Sequence, residues 1–158
     1  MIEAATMVFV PSAAAIMADF GAEVIKVEAS GRGDLHRYGH QLPGMPESQI
    51  PYVFQVDNRT KKSVVLNLKE KEGREILRKL IASADVFLTN YRAEALKKLK
   101  MTYKDFQAIN PRLIYGYGER GPEADKPGYD MVCYWTRPAH QRGPQDFRLF
   151  GRKDSGPS

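Results

Sequence analysis

The residues best placed to do chemistry follow directly after short apolar runs. Asn90, Tyr91 and Arg92 close and follow the run DVFLTN (Asp85 to Asn90), and Lys69 follows SVVLNL (Ser63 to Leu68). An asparagine amide can donate to and accept from a ligand amide or carbonyl. An aromatic neighbour offers a face to a purine, and arginine and lysine can meet phosphates. Each residue also has an ordinary structural explanation. An asparagine at the end of a strand is a common turn residue, and a lysine there often starts a helix in solvent. Their convergence on one sheet edge is what points to a phosphorylated organic ligand. The stretches GYGERG and GRGD are set aside as dinucleotide fingerprints, and no GxxxxGK[ST] or GxSxG occurs. Kinase, Rossmann dehydrogenase and serine-hydrolase readings therefore lose.

The elements that position these residues alternate. Pro11 opens a helix to Phe20, with Ala13, Ile16, Met17 and Phe20 as its expected buried face. EVIKVE (Glu23 to Glu28) alternates and reads as a strand. GRGDLHRYGHQLPGMPES reads as a long loop. SVVLNL is a strand, Lys69 to Ser83 a helix with an apolar stripe of Ile76, Leu77, Leu80 and Ile81, and DVFLTN a further strand. Two short helices, Ala93 to Leu99 and Thr102 to Ala108, precede the strand RLIYGYG (Arg112 to Gly118). Strands joined through helices predict an α/β fold: a Rossmann-like, open, mainly parallel sheet with helices on both faces. Ligands of such sheets lie beyond the carboxyl ends of the strands. The loops after Glu28, Leu68, Asn90 and Gly118 should therefore line a site.

Composition narrows the chemistry further. The 158 residues are 42% hydrophobic and 27% charged, enough for one domain with a core. The net charge of +5 suits a polyanionic partner, but the basic residues are dispersed, which argues against a nucleic-acid arm. Cys133 is the single cysteine, so an intrachain disulfide and a cysteine metal cluster are excluded. His36 and His40 have helical spacing in a glycine-rich stretch that does not read as a helix. With His140, they match no HExxH, and no metal site is expected. The apolar N-terminus is interrupted by Glu3 and Asp19 and has no basic lead-in, so neither a signal peptide nor a membrane span is read there. A cytoplasmic location without membrane contact is the expectation.

In sequence order, ADFGAEVIKVE, GRGDLHR, NRTKKSVVLNLKEKEGREIL, ADVFLTNYR and INPRLIYGYGERGPEADKPGYD closely resemble the N-terminal part of family III CoA-transferases, the CaiB/BaiF type. The resemblance runs from about Met1 to Arg137. It is nearest to members acting on hydroxy or aryl carboxylic acids. It implies transfer of coenzyme A from an acyl-CoA to a carboxylic acid. An aspartate attacks the thioester to give a mixed anhydride, in an interlocked homodimer with no prosthetic group. Carried over by motif, the residues that would contact CoA are Leu66, Lys69, Asn90, Tyr91 and Lys98, the last replacing an arginine. Met7 and Val8 match positions near the pantetheine and the reacting centre, and Arg92 keeps a common arginine. Ala29 stands where many members place an arginine, and Arg32 is a substitute.

Two departures qualify the resemblance. Racemases of the same superfamily carry a histidine in the motif that here reads PGYD, where Tyr129 stands. A phenol with a pKa near 10 is a poor proton shuttle at neutral pH. An acyl-CoA racemase is thus the lesser alternative, beside a non-catalytic nucleotide-binding or interaction module. The family's nucleophilic aspartate is expected just past Ser158. Asp154 lacks the preceding glycine and is a secondary candidate, and Asp130 is read as structural. The chain thus reads as residues 1–137 of a partial CoA-binding domain followed by an irregular or non-native tail, 138–158. As a fragment it is expected to be inactive, and to leave Val86, Phe87, Leu88, Leu113 and Ile114 uncovered.

Overall fold

The computed structural model describes residues 1–118 and the backbone of 147–150. Five parallel strands form the sheet: β1 (Ile2–Ala4), β2 (Ile25–Ala29), β3 (Lys62–Leu66), β4 (Val86–Thr89) and β5 (Ile114–Gly118). A sixth, β6 (Phe147–Phe150), pairs antiparallel with β5. The order is β3-β2-β1-β4-β5-β6. The expected open, mainly parallel α/β sheet is what the chain forms. Four residues of the stretch read as irregular are therefore a strand. Tyr129, Asp130, Cys133, His140 and Asp154 lie outside the described residues. From β1 the chain runs outward to β3, then returns to place β4 on the other side of β1. The strand order thus reverses between β1 and β4, the crevice where open α/β sheets hold ligands.

Helices α1 (Phe9–Asp19), α2 (Tyr52–Asn58), α3 (Lys71–Ala82), α4 (Ala93–Leu99) and α5 (Tyr103–Gln107) connect the strands. Local chemistry fixes their ends. Thr102 and Asp105 form a reciprocal capping box at α5. Lys100 ends α4 in the left-handed region at φ 54°. Gly73, in the first turn of α3, faces the backbone of Asn67 so closely that a Cβ would lie 2.1 Å from the Asn67 carbonyl oxygen. Only glycine lets α3 begin there.

The two sheet faces differ in kind. Ile2, Ala4, Val27, Phe87 and Tyr115 pack against Leu77, Ile81, Leu96, Met101 and Phe106 in the larger core. The Phe87 and Phe106 rings meet edge-on at 4.9 Å, and the Tyr115 hydroxyl donates to the Met101 carbonyl at 2.8 Å. The opposite face holds a small cluster of Ala5, Val10, Ala14, Ala18, Val24 and Leu88. Between alternate residues of β1 and β2 it also carries Glu3, Lys26 and Glu28, all buried.

Several expected details change. Helix α1 buries Val10, Pro11, Ala14, Ala15 and Ala18, while Ile16, Met17 and Phe20 face outward. Small side chains let the helix lie close to the sheet. In α3, Leu77 and Ile81 are buried, but Ile76 is 44% exposed. The long loop contains a 3-10 helix, Leu35–Gln41, and is followed by α2, which periodicity did not reveal. Of the five residues expected to lie uncovered, Phe87, Leu88 and Leu113 are buried by this chain's own helices and Val86 is partly buried. Only Ile114 is exposed.

Phe87→Ala should lower unfolding free energy by about 3–5 kcal/mol, because it empties the centre of the larger core. Phe20→Ala, at an outward position, should change it by less than about 0.5 kcal/mol. Paired urea melts of the two variants measure the difference.

Candidate functional site

The carboxyl ends of β1 and β4 meet at the reversal. Ala4 is in register with Thr89, so Asn90 falls beside the loop that leaves β1. Its side chain clamps that loop: the Thr6 amide donates to Asn90 Oδ1 at 3.0 Å, and Asn90 Nδ2 donates to the Thr6 carbonyl at 2.7 Å. Much of the amide that reads as a ligand contact is thus used inside the protein. Met7 follows with φ 67°, a left-handed conformation that costs a non-glycine residue about 1–3 kcal/mol. Its amide donates to Asp34 Oδ1 at 3.1 Å. Val8 is exposed and leads into α1 without a side-chain cap.

Met7, Val8, Asn90, Tyr91 and Arg92 are therefore brought together at the reversal. Tyr91 is half-buried against the larger core, and burial pushes its phenol above the ordinary range, so it stays neutral. Arg92 is exposed at the start of α4, and Lys98 is exposed in its last turn. Leu66 and Lys69 lie at the end of β3. Ala29 is in register with Leu66. The Leu66 side chain is packed in the larger core, whereas Lys69 is exposed. Three strand spacings separate β3 from β4, about 14 Å at the usual spacing. A ligand touching both groups must be elongated. A separate cleft, lined by Lys71, Arg74, Glu75, Arg78 and Lys100 over Leu77, Leu99 and Phe106, carries a net positive charge.

Behind this edge lies a buried ionic network that the sequence reading missed. Glu3 and Lys26 are register partners on β1 and β2. Lys26 Nζ lies 2.7 Å from Glu3 Oε1 and 2.8 Å from Asp34 Oδ2, and it donates to the Ala5 carbonyl at 3.0 Å. Lys61 reaches the other oxygen of Glu3 at 2.6 Å and also donates to the Pro11 carbonyl. Glu3, Lys26 and Asp34 are each at most 1% exposed. Burial lowers the pKa of Lys61, partly offset by Glu3. A second group adjoins the first. Arg37 makes two bonds to Glu28, at 2.6 and 2.7 Å, and lies over the Phe54 ring of α2. Asp57 accepts from the Ser12 hydroxyl at 2.6 Å and lies 3.4 Å from His36 Nδ1. The alternation of EVIKVE carried the available signal. In a sheet covered on both faces, Lys26 and Glu28 have no solvent side to point to.

Other readings of the sequence resolve here. GYGERG has the glycine spacing of a dinucleotide loop, but Gly116 and Gly118 lie within β5 itself. Gly118 instead makes room for Phe9, whose ring a Cβ would meet at 3.3 Å. Among the described residues, no group of His, Cys, Asp and Glu could hold a metal ion. No described helix is long and apolar enough to cross a membrane.

The network makes stability depend on pH. Burial alone would raise the Glu28 pKa. Hydrogen bonds from Arg37, Ser63 and the Asp34 amide outweigh it and hold the carboxyl at about 2, against 4.5 for the free side chain. A carboxyl depressed in the folded state adds stability above its unfolded value and loses it as pH falls toward the folded one. The contribution is of order 3 kcal/mol. Glu28→Gln should therefore be less stable at neutral pH and show a flatter loss of stability between pH 4.5 and 2, measured by urea melts across that window.

Known proteins resemble this chain in sequence and in fold. The model of CoA-transferase family III matches residues 1–137. The chain is 41% identical to cinnamoyl-CoA:phenyllactate CoA-transferase of Clostridium sporogenes, covering 87% of this chain and 34% of that protein. It is 38% identical to (R)-2-hydroxy-4-methylpentanoate CoA-transferase of Clostridioides difficile, covering 87% and 35%. It thus spans about a third of the length of these curated relatives. A solved CAIB/BAIF family protein from Brucella suis superposes with a TM-score of 0.73 at 34% identity, over 85% of this chain and 37% of that one. With the family model matching most of its length, the chain belongs to CoA-transferase family III.

Proposed function

We propose that these residues form the coenzyme-holding part of an enzyme that moves CoA between an acyl-CoA and a carboxylic acid. The observation that carries the reading is the family match over residues 1–137, within which Met7, Val8, Asn90, Tyr91 and Arg92 stand at the carboxyl ends of β1 and β4. Lys69, Arg92 and Lys98 are exposed cations suited to phosphates, and half-buried Tyr91 offers an aromatic surface next to Arg92 in the chain. The span from β3 to β4 suits a long ligand with a nucleotide at one end and a thioester at the other. Met7 and Val8, at the reversal, would meet the pantetheine arm.

The transfer would proceed through an aspartate supplied beyond Ser158. Its carboxylate oxygen attacks the thioester carbonyl, forming a mixed anhydride as the carbon–sulfur bond breaks and CoA leaves as thiolate. The thiolate re-attacks to give an aspartyl-CoA thioester, releasing the first acid. The acceptor carboxylate and the retained CoA then repeat these exchanges in reverse, freeing the aspartate and the new thioester. Covalent catalysis divides one hard transfer into several easier ones, provided water is kept from the anhydride. The named relatives act on phenyllactate and (R)-2-hydroxy-4-methylpentanoate. A 2-hydroxy carboxylic acid is accordingly the proposed acceptor class. An interlocked homodimer is the proposed assembly.

Titration calorimetry with CoA tests the binding step. The 158-residue chain should give saturable heat, and Lys69→Ala or Arg92→Ala should weaken binding by about tenfold, as expected for a lost charged hydrogen bond. No heat at millimolar CoA would sink the idea of a preformed site.

A further inference from the structure

We infer that Lys26 and Asp34 are positioning residues, which hold the loop between β1 and α1 in the shape that meets the coenzyme. The inference rests on the reading of that loop as a CoA contact and adds residues that the resemblance does not assign. Neither residue can touch a ligand directly, since each is 1% exposed. Their reach is toward the loop. Lys26 Nζ donates to the Ala5 carbonyl, and Asp34 Oδ1 accepts the Met7 amide at 3.1 Å. Between these two bonds, Asn90 holds both polar backbone groups of Thr6. Three consecutive residues thus have backbone groups held by side chains from β2, from the loop after it, and from the end of β4.

The arrangement does more than fill space. Met7 sits at φ 67° without being glycine, so the loop must be held there from outside. Asp34 is suited to this task because its two oxygens divide the work. Oδ2 faces Lys26 at 2.8 Å, and Oδ1 accepts from both Met7 and His36 amides. The Asp34 amide in turn donates to Glu28 Oε2 at 3.1 Å, tying the loop after β2 to its own strand. Lys26 also remains paired with Glu3, so the ion pair is anchored in β1 itself. The loop is therefore preorganised before any ligand arrives, and the ordering cost of binding falls accordingly.

Removing one partner alone would leave a buried charge, so the test uses charge-balanced pairs. Lys26→Met with Asp34→Asn keeps an acceptor for the Met7 amide. Lys26→Met with Asp34→Leu removes it. Amide hydrogen exchange at Met7 and calorimetric titration with CoA are read on both, using the 158-residue chain. The Met7 amide should exchange roughly tenfold faster in the Leu pair, the factor for one lost hydrogen bond; CoA affinity should fall in both pairs, where the Ala5 carbonyl loses Lys26, and by about a further tenfold in the Leu pair. Equal Met7 exchange in the two pairs overturns the inference, as does faster exchange with unchanged CoA affinity. If both pairs unfold, the unmodified chain decides. Its Thr6 and Met7 amides must be as protected as those of Phe87 and Leu88, and rapid exchange there overturns the inference. If the unmodified chain takes up no CoA, the coenzyme reading falls, while the exchange comparison still settles whether Asp34 holds the loop.

Discussion

A lysine with no exposure to solvent dictates much of this structure. Lys26 lies in a strand covered on both faces, and its ammonium must be compensated where it stands. Glu3 and Asp34 supply the compensation at 2.7 and 2.8 Å, and Lys61 balances the second oxygen of Glu3. Two acids and two bases thus close a neutral set. Buried ion pairs gain little net stability over apolar packing, yet losing one partner typically costs about 3–5 kcal/mol. Such a set therefore specifies an arrangement more than it strengthens one. It fixes the register of β1 against β2, the path of the loop after β2, and the exit from β1.

This constraint explains why the two sheet faces have such different characters. The face under α3, α4 and α5 is apolar and aromatic, built around Phe87, Phe106 and Tyr115. The face under α1 and α2 trades that packing for directed contacts. Alanines bring α1 close, Phe54 of α2 stacks under Arg37, and Asp57 ties α2 to α1 through Ser12. Packing supplies the rigidity on one side. On the other, hydrogen bonds aim the loops at the carboxyl edge, where the candidate residues stand.

The sequence disclosed the framework well because the framework is periodic. Four of the strands, α1 and α3 to α5 follow from alternation, apolar spacing and punctuation by glycine and proline. What it hid depends on long-range contacts. The charged members of EVIKVE look like the wet side of a half-exposed strand, and only the covering by α1 and α2 turns them inward. Ile16, Met17 and Phe20 look like a buried stripe because they are large. The sheet instead selects the smaller alanines beside them, where the helix can approach closely. Asn90 was found by its place after a strand, but its bonds to Thr6 join residues 84 apart and have no local signature. Leu66 was named from the motif alone. Its side chain serves the core, a distinction that a motif does not carry.

Gly73 carries a further consequence, for how inherited changes in such a chain would be interpreted. It has no side chain, yet the Asn67 carbonyl occupies the space any other residue would need. Most single-base changes of a glycine codon introduce a side chain. Each would push the start of α3 away from the turn that carries Lys69, four positions earlier. Such an allele would disturb the turn after β3 through a position that has no side chain of its own. A genetic map of this sheet edge would then include a position whose only contribution is the absence of a methyl group.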